Sequence, residues 1–184
     1  MNLESIVNSL RNFRKWHRII GIGIAIFLLV SAVTGFLLGW KKDIDWIQPP
    51  TQKGEAKELT DWKPMHELAE LATAHFYQKC PNQSSNKIDR IDVRPNKGIA
   101  KFLFESGYWE VQIDGKTGKI RSVAQRHSDW IEQLHDGSLI SDGFKLFSMN
   151  FLGIGATIMV ISGFWLWLGP IRFRQMKRDN LIEK

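Results

Sequence analysis

Five residues in this sequence are best able to do chemistry, the histidines 17, 66, 75, 127 and 135, and their spacing sorts them. A neutral imidazole can bind a metal through either ring nitrogen, and haem iron is among the metals it serves. His66 and His75 lie nine residues apart on a segment of helical periodicity. They project from opposite sides of it, cannot share an ion, and are expected on solvated faces. His127 precedes His135 by eight residues, which is about 12 Å along a helix and roughly 80° around it. Two ligands trans across one iron need nitrogens only about 4 Å apart. The two cannot clasp one ion, and His127 is expected at the surface. His17 and His135 remain. Each stands at the rim of an apolar block, and from the residues alone each is either an interfacial side chain or a ligand.

The blocks themselves are plain. Ile19–Trp40 runs 22 residues without a charge, and Phe147–Gly169 runs 23. Each is about 33 Å long as a helix, enough to cross a bilayer core. A mean hydropathy of −0.21 hides them by averaging. The first block is longer than the apolar part of a signal peptide and ends VTGFLLGWKK, so it is expected to stay as an anchor. The charges fix an expected topology. Segment 41–140 holds fifteen basic and fifteen acidic residues, and the net +6 resides on the two tails. By the positive-inside rule both termini are cytoplasmic and the middle is outside. The basic balance therefore reports membrane orientation, and nucleic acid is not an expected partner. Cys80 is the lone cysteine, so the middle must fold on a hydrophobic core without a disulfide.

That middle reads as α+β. Ile47–Thr60 is a polar linker. Met65, Leu68, Ala69, Ala72 and Phe76 form one apolar helical stripe, which CPNQSSN ends. Three alternating runs follow, Ile88–Val93, Ile99–Phe104 and Tyr108–Ile113, and DGKTG then turns the chain into KIRSV. Trp109, Val111 and Ile113 share one face; Glu110, Gln112 and Asp114 share the other. Such alternation between glycine-bearing turns predicts an antiparallel sheet with one helix on its inner face.

The helix-then-strands pattern ending YWEVQIDGKTGKI resembles a PepSY domain. The flanks WHRIIGIGIAIFLLVSAVTGFLLGW and LHDGSLISDGFKLFSMNFLGIGATIMVISGFWLWL resemble the helices of PepSY-associated transmembrane proteins, with His near the start, Thr-Gly near the end, Leu-His-x-Gly before the later helix and Ser-Gly within it. The family includes iron-regulated membrane proteins and siderophore reductases that bind haem b. The resemblance implies haem b as cofactor, with His17 and His135 as its iron ligands. With the apolar blocks and the charge placement, it divides the chain into a basic cytoplasmic N-terminus (1–18), transmembrane helices at 19–40 and 144–169, a linker (41–62), a PepSY-like domain (63–124), an amphipathic interfacial segment (125–143) and a basic cytoplasmic tail (170–184). The expected fold is thus a membrane protein with two transmembrane α-helices and an extracytoplasmic α+β domain, placed in the inner membrane.

With His17 near the cytoplasm and His135 near the outside, one chain offers one ligand per face, whereas six-coordinate haem needs two. A homodimer or a partner membrane subunit supplies the others, and the work expected is transmembrane electron transfer in iron uptake, toward ferric iron or a ferric chelate. Ser31, Gly35 and Gly39, with Gly155 and Gly163, offer small faces for close packing. Neither Ser/His/Asp set, P-loop, Rossmann fingerprint nor zinc motif occurs, so chemistry must come from a cofactor. The alternative is a non-enzymatic, membrane-tethered module that binds or restrains a peptidase, or an accessory subunit. A short echo relates IIGIGIAIFLLVSAVTGF to NFLGIGATIMVISGF, both with Gly-Ile-Gly and Ser/Thr-Gly-Phe. It suggests an inverted repeat in which Met149 stands opposite His17 as a further ligand candidate.

Overall fold

The computed structural model describes residues 3–182. Residues 1, 2, 183 and 184, with the tail cation Lys184, lie outside the described residues. Helix α1 (Leu3–Gly39) is followed by α2 (Met65–Lys79), strands β1 (Ile88–Arg94), β2 (Ile99–Phe104), β3 (Trp109–Asp114) and β4 (Ile120–Gln125), then α3 (His127–Asp136) and α4 (Asp142–Ile182). Gly35–Glu132 forms one compact unit and the two flanking stretches form a second.

In the helical unit, α1 and α4 each carry a stretch long and apolar enough to span a membrane, Glu4–Gly39 and Asp142–Arg178. Only 11% of either apolar window is buried within the protein. A core helix of a soluble domain would hide that surface, so these two helices face lipid and the chain is a membrane protein. Both helices outrun the apolar blocks. Helix α4 continues through Pro170 into the basic tail. The proline ring forfeits one backbone bond there, while Arg172, Arg174 and Lys177 lie on the turns beyond it. Small residues let the helices approach: a Cβ on Gly155 would lie 2.6 Å from Ile24 Cγ2, and one on Gly169 2.5 Å from Leu10 Cδ2. Gly39, expected on such a face, has nothing within 4 Å of the same construction.

In the other unit, the sheet is an antiparallel meander in the order β1-β2-β3-β4. Its register places Ala100 opposite Ile113 and Phe102 opposite Val111. Those residues with Phe104 form the inner face, against which α2 lays Leu68, Ala72 and Phe76. Phe76 stacks on Phe104 with ring centroids 4.0 Å apart. The period-two alternation has therefore done its work: the apolar side chains of two adjacent strands meet one helical stripe. In the β3–β4 turn, Asp114 Oδ1 accepts the amide N–H groups of Lys116 and Thr117. Gly118 closes the turn at φ 73°, a conformation costly for a residue with a Cβ.

The second face of the sheet is not open to solvent. Lys101, Glu110, Gln112 and Asp114, polar residues of alternating register, are all at most 2% exposed. The stretch after α1, read from sequence as a polar linker, lies across them. Gln52 donates its amide N–H to Gln112 Oε1 (2.8 Å), Glu55 donates its own to Asp114 Oδ2 (3.1 Å), and Gln112 Nε2 donates to the Pro50 carbonyl (3.1 Å). Gly54 passes so close that a Cβ there would lie 2.0 Å from the Gly98 carbonyl oxygen. Beneath this strap the charges pair. Glu110 accepts hydrogen bonds from Lys101 Nζ (3.2 Å), Gln112 Nε2 (2.7 Å) and Arg126 Nη1 (3.1 Å). Burial works against the charge on Arg126, but Asp129, Glu110 and Asp92 outweigh it and raise its pKa. Asp114 is likewise desolvated, yet Arg121 and three backbone N–H groups hold its carboxyl below the ordinary range. Ile131 of α3, within the segment 125–143 expected at the membrane interface, is fully buried.

Candidate functional site

Helix α1 carries His17 near its basic end and Ser31 and Thr34 near its other; α4 carries Ser162, and the last turn of α3 carries His135. The helical unit brings these together in two crossed pairs. His17 Nδ1 lies 2.7 Å from Ser162 Oγ. His135 Nδ1 lies 3.0 Å from Thr34 Oγ1 and 3.4 Å from Ser31 Oγ.

The other bonds of these hydroxyls favour one direction for the contacts. A hydroxyl has one proton, and in a helix Ser or Thr can give it to the carbonyl one turn back. Thr34 donates to the Val30 carbonyl at 2.6 Å, and Ser162 donates to the Ile158 carbonyl at 2.6 Å. With that proton committed, each hydroxyl can only accept from the imidazole. Back-bonding of the hydroxyls thus favours the hydrogen on Nδ1 of each ring, which in the neutral form leaves the lone pair on Nε2. Among the described residues neither Nε2 makes a hydrogen bond. This is the arrangement that orients an imidazole for metal ligation: the remote nitrogen donates to a fixed acceptor and the near one is bare.

The two nodes lie far apart. His17 and Thr34 are 17 residues apart on one helix, which is roughly 25 Å along its axis. Since His135 is held by Thr34, the imidazoles cannot meet on one ion. Among the described residues no group of three or more His, Cys, Asp and Glu could hold a metal.

Each node has its own surroundings. Gly163 leaves room beside His17, its would-be Cβ 3.6 Å from His17 Cε1. His135 opens on a cavity of about 230 Å³ between α1, α3 and α4, lined by Phe27, Val30, Phe144 and Met149. Its wall is apolar apart from His135 and Ser148. The end of α3 that carries His135 is pinned beside it. Asp136 pairs with Lys145 at 2.6 Å and accepts from Ser138, while Ser148 Oγ donates to the Asp136 carbonyl at 3.0 Å. Burial raises the Asp136 pKa, but Lys145 and Ser138 outweigh it and bring the carboxyl down to about 2.

The remaining histidines go elsewhere. His66 is exposed and His75 half-buried on α2. His127, expected at the surface, is half-buried: it stacks on Trp46 with centroids 4.5 Å apart, and its Nδ1 accepts the Trp130 indole N–H at 3.2 Å. Its neighbours are aromatic because α3 folds back against the segment that follows α1. Met149 lines the cavity at the His135 end. Thr34, Ser31 and Ser162, which contact the two imidazoles, are residues of the candidate site whose part spacing alone does not reveal. The signal for two of them is the echo, since Thr34-Gly35-Phe36 and Ser162-Gly163-Phe164 are its matched ends.

Two membrane-spanning helices that frame a four-stranded α+β unit, each helix supplying a hydroxyl to an imidazole, define a two-span membrane protein with paired histidine nodes. The chain belongs to the family of the PepSY-associated TM region, whose model matches residues 14–181. No curated protein and no solved structure shows significant similarity to it.

Proposed function

We propose that this protein is a haem b-binding subunit of the inner membrane that moves electrons from one membrane face to the other, with ferric iron or a ferric chelate as acceptor. The observation that supports the reading is the matched environment of His17 and His135, each with Nδ1 against a back-bonded hydroxyl and no hydrogen bond at Nε2. The donor chemistry fits the group: imidazole is a haem ligand, and the side chains beside His135 are apolar, as a porphyrin face requires. When bound, haem supplies one-electron redox chemistry that no side chain here offers.

The chain's own part is to hold and orient. Ser162 and Thr34 hold the Nδ1 side of each ring, so that Nε2 would be the atom offered to iron at each node. Each chain provides one ligand per node, and a second copy or a partner membrane subunit provides the other. The basic tails support cytoplasmic termini, with His17 on the inner side and the sheet unit outside.

The test is an absorption spectrum of the full chain purified from haem-replete membranes. A Soret band that falls by about half in His17→Ala and in His135→Ala is the expected result. A colourless wild-type protein overturns the reading, and leaves a tethered module that binds an extended chain along its edge strands β1 and β4.

A further inference from the structure

The unit Gly35–Glu132 contains a cleft of about 580 Å³ between the chain that follows α1 and the β1–β2 turn. Lys41, Lys42, Arg94 and Lys97 stand around it, and no acidic residue is part of its lining. That concentration is not a product of composition, since segment 41–140 holds equal numbers of acids and bases. Two of the cations are partly neutralised from outside the cleft, Lys41 by Glu132 at 3.6 Å and Arg94 by Asp92 at 3.8 Å. Lys42 and Lys97 have no carboxylate partner among the described residues. A second observation is independent of charge. Gln48 lines the same cleft, and its side-chain carbonyl oxygen is buried without a hydrogen-bond partner. A carboxamide can turn over to present its NH₂ instead. The walls are stiff: Pro49, Pro50 and Pro95 fix the backbone on both sides. This is a preformed cationic recess with an unpartnered amide in its wall.

The flanking residues say where that ligand comes from. Lys41 follows directly on Trp40, the last residue of the first apolar block. Trp40, Ile44 and Trp46 are 50%, 42% and 59% exposed. Exposed tryptophans beside the end of a spanning helix belong at the headgroup layer, and a phosphate there meets the recess without leaving the membrane. We infer that this cleft binds the phosphate of an anionic phospholipid from the adjoining leaflet, seating the β1–β2 turn on the membrane surface. A choline headgroup would bring its own cation toward four others, so the site selects lipids of net negative charge. The inference does not depend on haem.

The experiment uses the full chain in nanodiscs of phosphatidylcholine alone or with phosphatidylglycerol, read by hydrogen exchange over residues 47–51 and 93–98. Phosphatidylglycerol slows exchange in both segments. Lys42→Gln with Lys97→Gln abolishes the slowing, and Lys42→Arg with Lys97→Arg retains it. Each basic side chain near the surface is worth roughly fivefold in anionic-lipid binding, so the double glutamine variant binds short-chain phosphatidylglycerol about thirtyfold more weakly. Equal exchange in the two discs overturns the inference, as does a glutamine variant that responds like wild type. The same slowing produced by glycerol phosphate in phosphatidylcholine discs also overturns it, because the ligand would then be a soluble anion.

Discussion

Ser162→Ala isolates the contribution of one oxygen atom. In the wild type His17 Nδ1–H has a single acceptor, Ser162 Oγ at 2.7 Å. Alanine removes it and leaves no second hydroxyl, unlike His135, which has Ser31 at 3.4 Å behind Thr34. The ring then loses both its orientation and its tautomer preference. A neutral hydrogen bond contributes about 1 kcal/mol, and leaving a half-buried donor unpaired costs about 1–3 kcal/mol. Those figures correspond to a loss of about tenfold in haem affinity at the His17 node, the low end of the range known for outer partners of metal-bound histidine. Haem titration of apoprotein followed at the Soret band reads the affinity directly, with the midpoint potential as a second readout. Ser162→Thr restores both, because threonine makes the same back-bond. The reasoning fails if Ser162→Ala keeps wild-type affinity and potential while His17→Ala removes the half of the Soret band belonging to its node, for then the hydroxyl does not set the ligand. Thr34→Val shows a smaller deficit at the other node.

Glu110→Gln leaves Lys101 without a carboxylate at 2% exposure and weakens the hold on Arg126; the sheet unit is destabilised by about 3–5 kcal/mol, measured by denaturant unfolding of the full chain in detergent. The Asp136 carboxyl, held at about 2 in the folded protein, gives stability that is present above its unfolded pKa near ~4 and is lost as pH falls from there through about 2. With Lys145 half-exposed the contribution is about 1 kcal/mol after solvent screening; thermal melts at pH 6 and pH 3 should differ by less in Asp136→Asn than in wild type.

The sheet was legible because its strands bury one face on α2, and alternation such as Ala100-Lys101-Phe102 records that directly. The two spanning helices were legible for the same reason, an uncharged run being its own evidence of lipid. What covers the second face was not. The residues Gln48 to Glu55 carry no periodicity, because the strap binds through backbone groups that every residue possesses. The partial cover of His127 is unreadable on similar grounds, since it comes from Trp46, some eighty residues earlier. At the site, the two histidines stood out by type and position, but their hydroxyl partners did not. Which turn of α4 faces His17 is decided by packing around Gly155 and Gly169, and no local pattern encodes that rotation.

The charged layer under the strap also constrains how the chain can fold wrongly. Slide β3 by a single residue against β2, and Glu110, Gln112 and Asp114 would turn toward Phe76 while Val111 and Ile113 met the strap. A purely greasy second face would tolerate that error; one built from Lys101, Glu110 and Arg126 forbids it. In a protein without a disulfide, these ions act as a proofreading key for strand alignment.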